Sequence, residues 1–247
     1  MKTPLAQIWL ILRRAPPFEG LPDDLLESIL QSGTVGACSD GELLISQGDV
    51  PEHMFVVLAG QLRTFMTNED GSEFTLRMLD PGDCCMGVAL FMGKLSPASV
   101  EAVSEARILR IPSRFVKQLV IQNPRFAANM LHLAAANYRD AIAQIDAVAL
   151  KTPFQRIGHY LLVEFIARGS TELFFELRFR KTLIASHLGM TPETLSRAFQ
   201  KMRQLGITVD GSTIRLKDAF ALCHFCDLNS RETCEYKDSE HCARCRL

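Results

Sequence analysis

The sequence of 247 residues lacks a hydrophobic run long enough to cross a membrane. The apolar stretch at residues 8–12 is far shorter than the roughly 20 residues that a transmembrane helix needs, and it is too short for the core of an export signal. We therefore expect a cytoplasmic protein with no membrane partner. Disulfides rarely persist in that reducing compartment.

The sequence also lacks the residue grouping of an active site, which would place an acid, a base and a nucleophile beside one cleft. Its six histidines are scattered, at His53, His132, His159, His187, His224 and His241. We therefore expect a protein that is not an enzyme. The less favoured alternative is an enzyme that uses thiols or a metal and carries a separate binding module.

The chain has little net charge, −1 at pH 7, but its charge is unevenly distributed. Residues 1–150 contain 12 Lys and Arg against 17 Asp and Glu, whereas residues 151–222 contain 11 against 6. The length indicates about two domains. The positive one, near the C-terminus, is suited to attract the phosphates of a nucleic acid.

Residues 183–206 show the pattern of a helix-turn-helix. Leu183, Ile184 and Leu188 form the apolar face of a short helix, and Gly189 permits a tight turn. A second helix then begins with Thr191 as its N-cap.

The polar face of this second helix has the chemistry of a reader of double-stranded DNA. Arg donates two hydrogen bonds to guanine, Glu accepts a hydrogen bond from cytosine, and Ser forms hydrogen bonds with several bases. The predicted DNA-binding residues are Thr191, Glu193, Ser196, Arg197 and Gln200. The alternative is an ordinary amphipathic helix with a solvated face. Residues 207–216 favour the first interpretation, because the Asp210-Gly211 turn between two β-prone runs predicts a hairpin and hence a winged module.

The first 150 residues predict a roll followed by a long helix. From residue 18 to 122, short β-like runs alternate with glycine turns, which is typical of a small antiparallel barrel or roll. From 123 to 150, apolar residues repeat in heptads and predict the seam of a parallel dimer. The seam residues are Leu131, Ala135, Tyr138, Ile142 and Ile145. The alternative is a helix packed on its own roll.

Roll, dimer helix and winged helix-turn-helix, in this order, resemble the CRP/FNR superfamily of bacterial transcription regulators over about residues 18–222. The most specific pieces are the segment from Glu193 to Arg197 and the turn residues of the roll, which are Gly41, Gly48-Asp49, Gly60, Gly71, Pro81-Gly82-Asp83 and Gly87. The resemblance implies an α+β fold, with an antiparallel β-roll like a cyclic-nucleotide-binding domain, a long dimerisation helix and a winged helix-turn-helix. The expected segments are a leader (1–17), the roll (18–122), the dimerisation helix (123–150), the DNA-binding domain (151–222) and a cysteine-rich tail (223–247).

Within this superfamily, Glu193, Ser196 and Arg197 resemble the reading helix of the fumarate-nitrate regulator branch, which includes nitric-oxide-responsive denitrification regulators. That resemblance implies a homodimer on a TTGAT-type palindrome, with RNA polymerase as a further partner.

The expected effector is not cAMP. Family members that bind it carry Gly-Glu and, some ten residues later, Arg-Ser-Ala, whereas residues 87–91 and 96–98 lack both charged residues. A buried phosphodiester without its charged partner costs at least several kcal/mol. The apolar residues Val88, Leu90, Phe91 and Met92 are compatible with a haem, with His132 as a candidate ligand, or with a collapsed interior that holds no ligand.

The eight cysteines fall into two groups. Cys38, Cys84 and Cys85 are expected to be small buried hydrophobes. The other five lie in the tail, in a C-x2-C-x15-C-x2-C pattern with one thiol between the pairs; they are Cys223, Cys226, Cys234, Cys242 and Cys245. This spacing predicts zinc or an iron-sulfur cluster, with disulfides as a third interpretation.

The tail thus favours a response to oxygen, nitric oxide or redox state. The alternative is a regulator that responds to another small ligand and has a purely structural zinc tail. Residues 217–222 are expected to form a short helix that packs on the DNA-binding module.

Overall fold

The computed structural model describes residues 5–169, 172–218 and 220–226. The chain divides into two compact units, residues 1–142 and 143–247. Within the described ranges, no helix is long and apolar enough to cross a membrane.

The first unit begins with two helices, α1 (Leu5–Arg14) and α2 (Asp23–Ser32), and continues with eight strands. The strands are β1 (Thr34–Cys38), β2 (Leu43–Ile45), β3 (His53–Ala59), β4 (Leu62–Thr67), β5 (Glu73–Leu79), β6 (Cys84–Cys85), β7 (Ser99–Ala102) and β8 (Ala106–Pro112). Two helices follow, α3 (Ser113–Gln122) and α4 (Pro124–Leu150), and residues 143–150 of α4 belong to the second unit. The long helix predicted from residue 123 is therefore confirmed.

The strands form the predicted roll from two antiparallel four-stranded sheets, with orders β1-β8-β3-β6 and β2-β7-β4-β5. Strand β3 is covered on both faces. Phe55 and Val57 pack inside the roll, while Met54 and Val56 pack in a second core that includes residues of the helices, such as Phe126. Burial on both faces explains why β3 reads as a continuous apolar run instead of an alternating one.

Helices α1 and α2 were not expected from the sequence. Residues 1–17, interpreted as a leader, include α1, whose Ile8 and Leu12 are buried in the same core as Leu26 and Ile29 of α2. The spacing of each pair, four and three residues, is a local helical signal. The segment thus belongs to the core of the first unit.

The three early cysteines are buried, as predicted. Cys84 and Cys85 are neighbours in a strand, so their side chains point to opposite faces. Cys84 joins the core shared with the helices and Cys85 the interior of the roll. Burial raises the pKa of both thiols, that of Cys85 to about 12.

The second unit contains helices α5 (Pro153–Ile166), α6 (Lys181–His187) and α7 (Pro192–Met202) and strands β9 (Phe174–Glu176), β10 (Ile207–Asp210) and β11 (Thr213–Leu216). The strands form a sheet of order β10-β11-β9. Helix α5 begins in a capping box, in which Thr152 Oγ1 accepts from Gln155 N at 3.3 Å and Gln155 Oε1 accepts from Thr152 N at 2.9 Å. The structure confirms the α+β class and the helix-turn-helix with its hairpin.

Two features of the second unit differ from the expectation. Strand β9 was not predicted, and it pairs with β11 at the wing. The short helix expected over residues 217–222 is not formed by the described residues of that range; a short 3₁₀ helix lies instead at Cys223–Phe225.

Candidate DNA-binding site

Helix α7 is the predicted reading helix. Thr191 caps it, with its side chain accepting from Thr194 N at 3.3 Å, and Pro192 occupies the first turn. The preceding turn contains Gly189, whose φ of +60° lies in the left-handed region that favours glycine. The local signals in the sequence therefore set the start of α7 as predicted.

The two faces of α7 differ sharply. One face is buried in the module and consists of Leu195, Ala198, Phe199 and Met202. The five residues predicted to bind DNA are all exposed; they are Thr191, Glu193, Ser196, Arg197 and Gln200. The helix thus presents a continuous polar face that no part of its own described module covers.

The first turn of this face carries a fixed negative charge. The pKa of the Glu193 carboxyl is lowered, chiefly because the carboxylate accepts a hydrogen bond from its own backbone N–H, and also by the Thr191 hydroxyl and the positive charge of Arg197. A carboxylate at a helix N-terminus is favoured by the macrodipole as well. Glu193 is therefore an acceptor at neutral pH, as contact with cytosine N4 requires.

A buried charge network, which the sequence did not reveal, ties α5 to β9. Glu164 is almost fully buried and accepts from Arg178 Nε and Nη2 at 3.1 Å each and from Arg168 Nη1 at 2.6 Å. Arg168 also donates to Glu176 O in β9 at 3.0 Å. The hydrogen bonds from the two arginines compensate for the free-energy cost of burying the Glu164 carboxylate.

The wing is held to β9 by side chains at its tip. The Glu176 carboxylate accepts from the hydroxyls of Ser212 and Thr213, and these hydrogen bonds lower its pKa. Asp210 pairs with Thr213 across the hairpin, and Gly211 adopts a positive φ of +55°. The predicted Asp-Gly turn thus lies at the tip of a wing that is held beside β9.

The residues predicted at the dimer seam are all exposed in the single chain. Leu131 is 69% exposed, Tyr138 71% and Ile145 63%, and Ala135 and Ile142 lie in the same stripe. This exposed apolar stripe has the heptad spacing from which the seam of a parallel dimer is predicted. The inward face of α4 uses other residues, among them Phe126, Met130 and Leu133.

The four apolar residues considered for a haem differ in burial. Leu90 is buried in the core shared with the helices, whereas Phe91 and Met92 are 46% and 50% exposed and Val88 is half-buried. A collapsed interior of this part of the roll agrees with that placement. A haem pocket formed by these four residues does not.

The candidate haem ligand His132 lines a different cavity, of about 270 Å³. The walls of this cavity include the charged or polar side chains of Arg77, Asp83, Asn129 and Asp140. Sites for large flat ligands are mostly apolar and larger than this. The residues that line this cavity with His132 therefore do not fit a haem.

The start of the cysteine-rich tail packs on α5. Phe225 is buried, its ring lies edge-on to Phe154 at 5.3 Å between centroids, and a Cβ at Gly158 would overlap it. Cys223 and Cys226, on either side of this anchor, are half-buried.

The other three predicted metal ligands, Cys234, Cys242 and Cys245, lie outside the described residues. Among the residues that are described, no three side chains of His, Cys, Asp or Glu come together as a metal-binding group.

Two family models match this chain. The first, the cyclic nucleotide-binding domain, covers residues 29–123, and the second, the Crp-like helix-turn-helix domain, covers residues 155–225. The second match ends at Phe225, the residue that anchors the tail on α5.

The chain is similar to regulators of transcription along most of its length. It is 27% identical over 204 residues to the transcriptional activator protein FnrA of Stutzerimonas stutzeri, covering 81% of this chain and 82% of the relative. It is 26% identical over 212 residues to the cyclic AMP receptor protein of Thermus thermophilus, covering 85% of this chain and 96% of the relative. The solved structure of FixK2 from Bradyrhizobium japonicum shares its fold, with a TM-score of 0.69 at 20% identity over 79% of this chain and 98% of that one.

These relatives are regulators, which confirms the expectation of a regulator and not an enzyme. Because a roll of the cyclic nucleotide-binding type and a Crp-like helix-turn-helix follow one another in the matched order, the chain belongs to the CRP/FNR family of DNA-binding transcription regulators.

Proposed function

We propose that this regulator binds a TTGAT-N4-ATCAA palindrome as a homodimer and responds to oxygen, nitric oxide or redox state. The arrangement of side chains on α7 supports the proposed palindrome. Glu193, Ser196 and Arg197 share the exposed face of α7, directly opposite its buried face. In the major groove, these side chains supply an acceptor for cytosine, an adaptable hydroxyl and a fork for guanine.

The half-site is tested by fluorescence anisotropy at one fixed salt concentration, because affinity for DNA depends steeply on salt. The parent protein is titrated with palindromes of TTGAT and of TGTGA half-sites and with scrambled DNA. We expect the TTGAT palindrome to bind at least about tenfold more tightly than the TGTGA one, since a wrong base pair typically costs 1–3 kcal/mol. Equal affinities would contradict the assignment.

The proposed dimer forms through α4. A second copy of the exposed stripe, packed in parallel, would cover both apolar surfaces about a two-fold axis. Such a dimer places two reading helices on successive major grooves, about 34 Å apart, as a palindrome requires.

Ile142→Glu tests this seam, because it would bury a charge against its own copy. We expect monomers in sedimentation velocity and much weaker binding to the palindrome. Ala143→Glu, an exposed position next to the seam, is the control with the same added charge and should remain dimeric. A dimeric Ile142→Glu variant would place the interface elsewhere.

The proposed sensor is the cysteine-rich tail, in which Cys223, Cys226, Cys234, Cys242 and Cys245 would bind zinc or an iron-sulfur cluster. In support, the two C-x2-C pairs have the spacing of a four-thiolate site, and Phe225 holds the first pair against α5. A bound cluster would supply reactivity toward oxygen and nitric oxide. The chain itself would supply deprotonated thiols, so that binding releases protons and weakens at low pH.

An anaerobic ultraviolet-visible spectrum, with iron, zinc and sulfide analysis, separates the two groups. Charge-transfer absorption with matching iron and sulfide supports a cluster, and zinc without absorption supports a structural site. A purified protein free of all three would contradict the proposal.

A cyclic nucleotide is the second candidate effector, favoured by the match of the roll and by the name of the Thermus thermophilus relative. Calorimetric titration with cAMP tests it. We expect no binding, because the segments 87–91 and 96–98 carry no charged residue for the ribose or the phosphate. We also propose that the DNA-bound dimer contacts RNA polymerase, which in vitro transcription from a promoter carrying the palindrome would test.

A further inference from the structure

Arg156, near the start of α5, donates hydrogen bonds to four backbone carbonyls. Its Nη2 donates to Val148 O at 2.9 Å, in the last turn of α4, and its Nε donates to Lys151 O at 3.0 Å, directly after α4. Its Nη1 donates to Leu188 O at 2.8 Å and Gly189 O at 3.1 Å, in the turn between α6 and α7. One side chain thus joins the end of α4 to the turn of the helix-turn-helix.

The guanidinium suits this position for two reasons. The ends of α4 and α6 are both helix C-termini, where unpaired carbonyls and the macrodipole favour a cation. A guanidinium also holds five donors in a rigid plane, so that it serves both ends at once, whereas the lysine ammonium is a point charge on a flexible stem. Lysine at position 156 would therefore keep the charge and lose the bridge.

A second side chain of α4 holds the same end of α6. Gln144 Nε2 donates to His187 O at 3.2 Å and lies 3.2 Å from His187 Nδ1. Gln144 and Val148 are four residues apart, about one helical turn. Because α6 is held at two levels of α4, both its sliding and its rotation are restricted.

The turn that Arg156 holds leads directly into the reading helix. Gly189 lies two residues before Thr191, the N-cap of α7. A displacement of Gly189 is therefore passed to the first turn of α7, where Glu193 is exposed, and onward to Arg197. Reading bases requires these side chains to be placed more accurately than a contact with phosphate does.

We infer that Arg156 is a positioning residue for DNA recognition, which holds the reading helix at one orientation to the C-terminal end of α4. The inference uses the sequence-specific DNA binding of this family and does not depend on the TTGAT half-site. Its effect is on discrimination between DNA sequences, because Arg156 acts through the backbone of the turn and not through a base.

The test uses the full chain and an operator that the parent protein itself selects from a library of randomised palindromes. We expect Arg156→Lys to lower the affinity for this operator about tenfold or more, since a hydrogen bond from a charged donor is worth roughly a factor of ten. Affinity for scrambled DNA should not change, and the salt dependence of binding should keep its slope. Sedimentation should show the same oligomer as the parent.

Two results would overturn the inference. Equal losses on operator and scrambled DNA, with a salt slope shallower by about 0.9, would make Arg156 a phosphate contact. Unchanged affinity for the operator would show that the bridge does not position the helix.

Arg168→Lys is the matched control. Arg168 also donates to backbone carbonyls of the second unit, Glu164 O at 2.7 Å and Glu176 O at 3.0 Å, but not in the turn before α7. We expect it to lower Tm and to leave the ratio of operator to scrambled affinity unchanged. An equal fall of that ratio would mean that general destabilisation causes the effect, which contradicts the inference.

If Arg156→Lys does not fold, Gln144→Ala is the second test, since it removes the hydrogen bond from Gln144 Nε2 to His187 O at the end of α6 and leaves Arg156 in place. A lower ratio with an unchanged oligomer supports the inference. An unchanged ratio contradicts it.

Discussion

At the scale of single residues, the proposed recognition of DNA depends on a few exposed side chains of α7, a helix whose opposite face is buried. Arg197 is exposed between Leu195 and Phe199, both of which are buried. Its guanidinium is therefore presented outward by a well-packed helix, so that its removal should change recognition more than folding.

Arg197→Ala should cost on the order of 1–3 kcal/mol of binding free energy at one base pair and relax specificity there. Anisotropy with operators substituted at each position of the half-site measures this loss. Lys201→Ala is the control, because it removes one positive charge from an exposed position of the same helix. We expect it to lower the binding affinity by a similar factor for all DNA sequences. If both variants keep the specificity of the parent, Arg197 does not read a base.

The buried thiols predict how stability depends on pH. The pKa of Cys85 is raised from 9.0 to about 12 by burial. The folded chain thus retains a proton that the unfolded chain loses, and the contribution to stability is complete below pH 9 and lost between pH 9 and about pH 12. The free energy of unfolding should fall there by up to about 1.4 kcal/mol per pH unit from this group. In Cys85→Val, urea unfolding over the same range should show a shallower fall; parallel curves would contradict the prediction.

At the scale of elements, α5 organises the second unit. Its N-terminal half carries Arg156, and its next turn presents Gly158 to the Phe225 ring. Its C-terminal half carries Glu164, which binds two arginines and positions β9. Helix α5 thus positions both the reading helix and the wing. It needs no contact with DNA for this role.

The Gly158–Phe225 contact can be tested by a double-mutant cycle. Phe225→Ala should cost about 3–5 kcal/mol of unfolding free energy by leaving a cavity. Gly158→Ala should also destabilise, because the new methyl group overlaps the ring. In the double variant the methyl group meets no ring, so the combined cost should be smaller than the sum. Additive costs, measured by urea unfolding, would show that the two positions do not interact.

At the scale of the whole molecule, the chain separates an acidic N-terminal part from a basic DNA-binding part, with the cysteine-rich tail directly after it. The boundary of the DNA-binding unit lies beyond Leu222, since Phe225 belongs to its packed interior. A truncation that tests the tail must therefore keep this residue.

A chain that ends at Cys226 should keep the Tm, the oligomer and the basal DNA affinity of the parent, and lose its response to oxygen or nitric oxide. A chain that ends at Leu222 should in addition lose stability, by about the 3–5 kcal/mol expected when a buried phenylalanine is removed. Calorimetry and anisotropy under anaerobic and aerobic conditions measure both properties. If the chain ending at Cys226 still responds, the signal enters through the first unit.

The sequence alone determined the features that depend on neighbouring residues. The cap at Thr191, the turn at Gly189, the Asp210-Gly211 hairpin and the heptad stripe of α4 are local patterns, in which each residue acts on others within one or two turns. For the same reason the exposed face of α7 was predicted residue by residue. The turn glycines and the resemblance to the family supported the roll, although no sequence pattern specified which strands pair.

The tertiary structure decided what depends on residues that are distant in the chain. Arg156 donates to Leu188, 32 residues away, and strand β9 finds its partner in β11 beyond the helix-turn-helix. The apolar residues Phe91 and Met92 suggested a pocket, yet they lie at the surface. Hydrophobicity shows that a side chain favours burial, but only the packing of the complete fold decides which side chains are covered and which carbonyls a given arginine reaches.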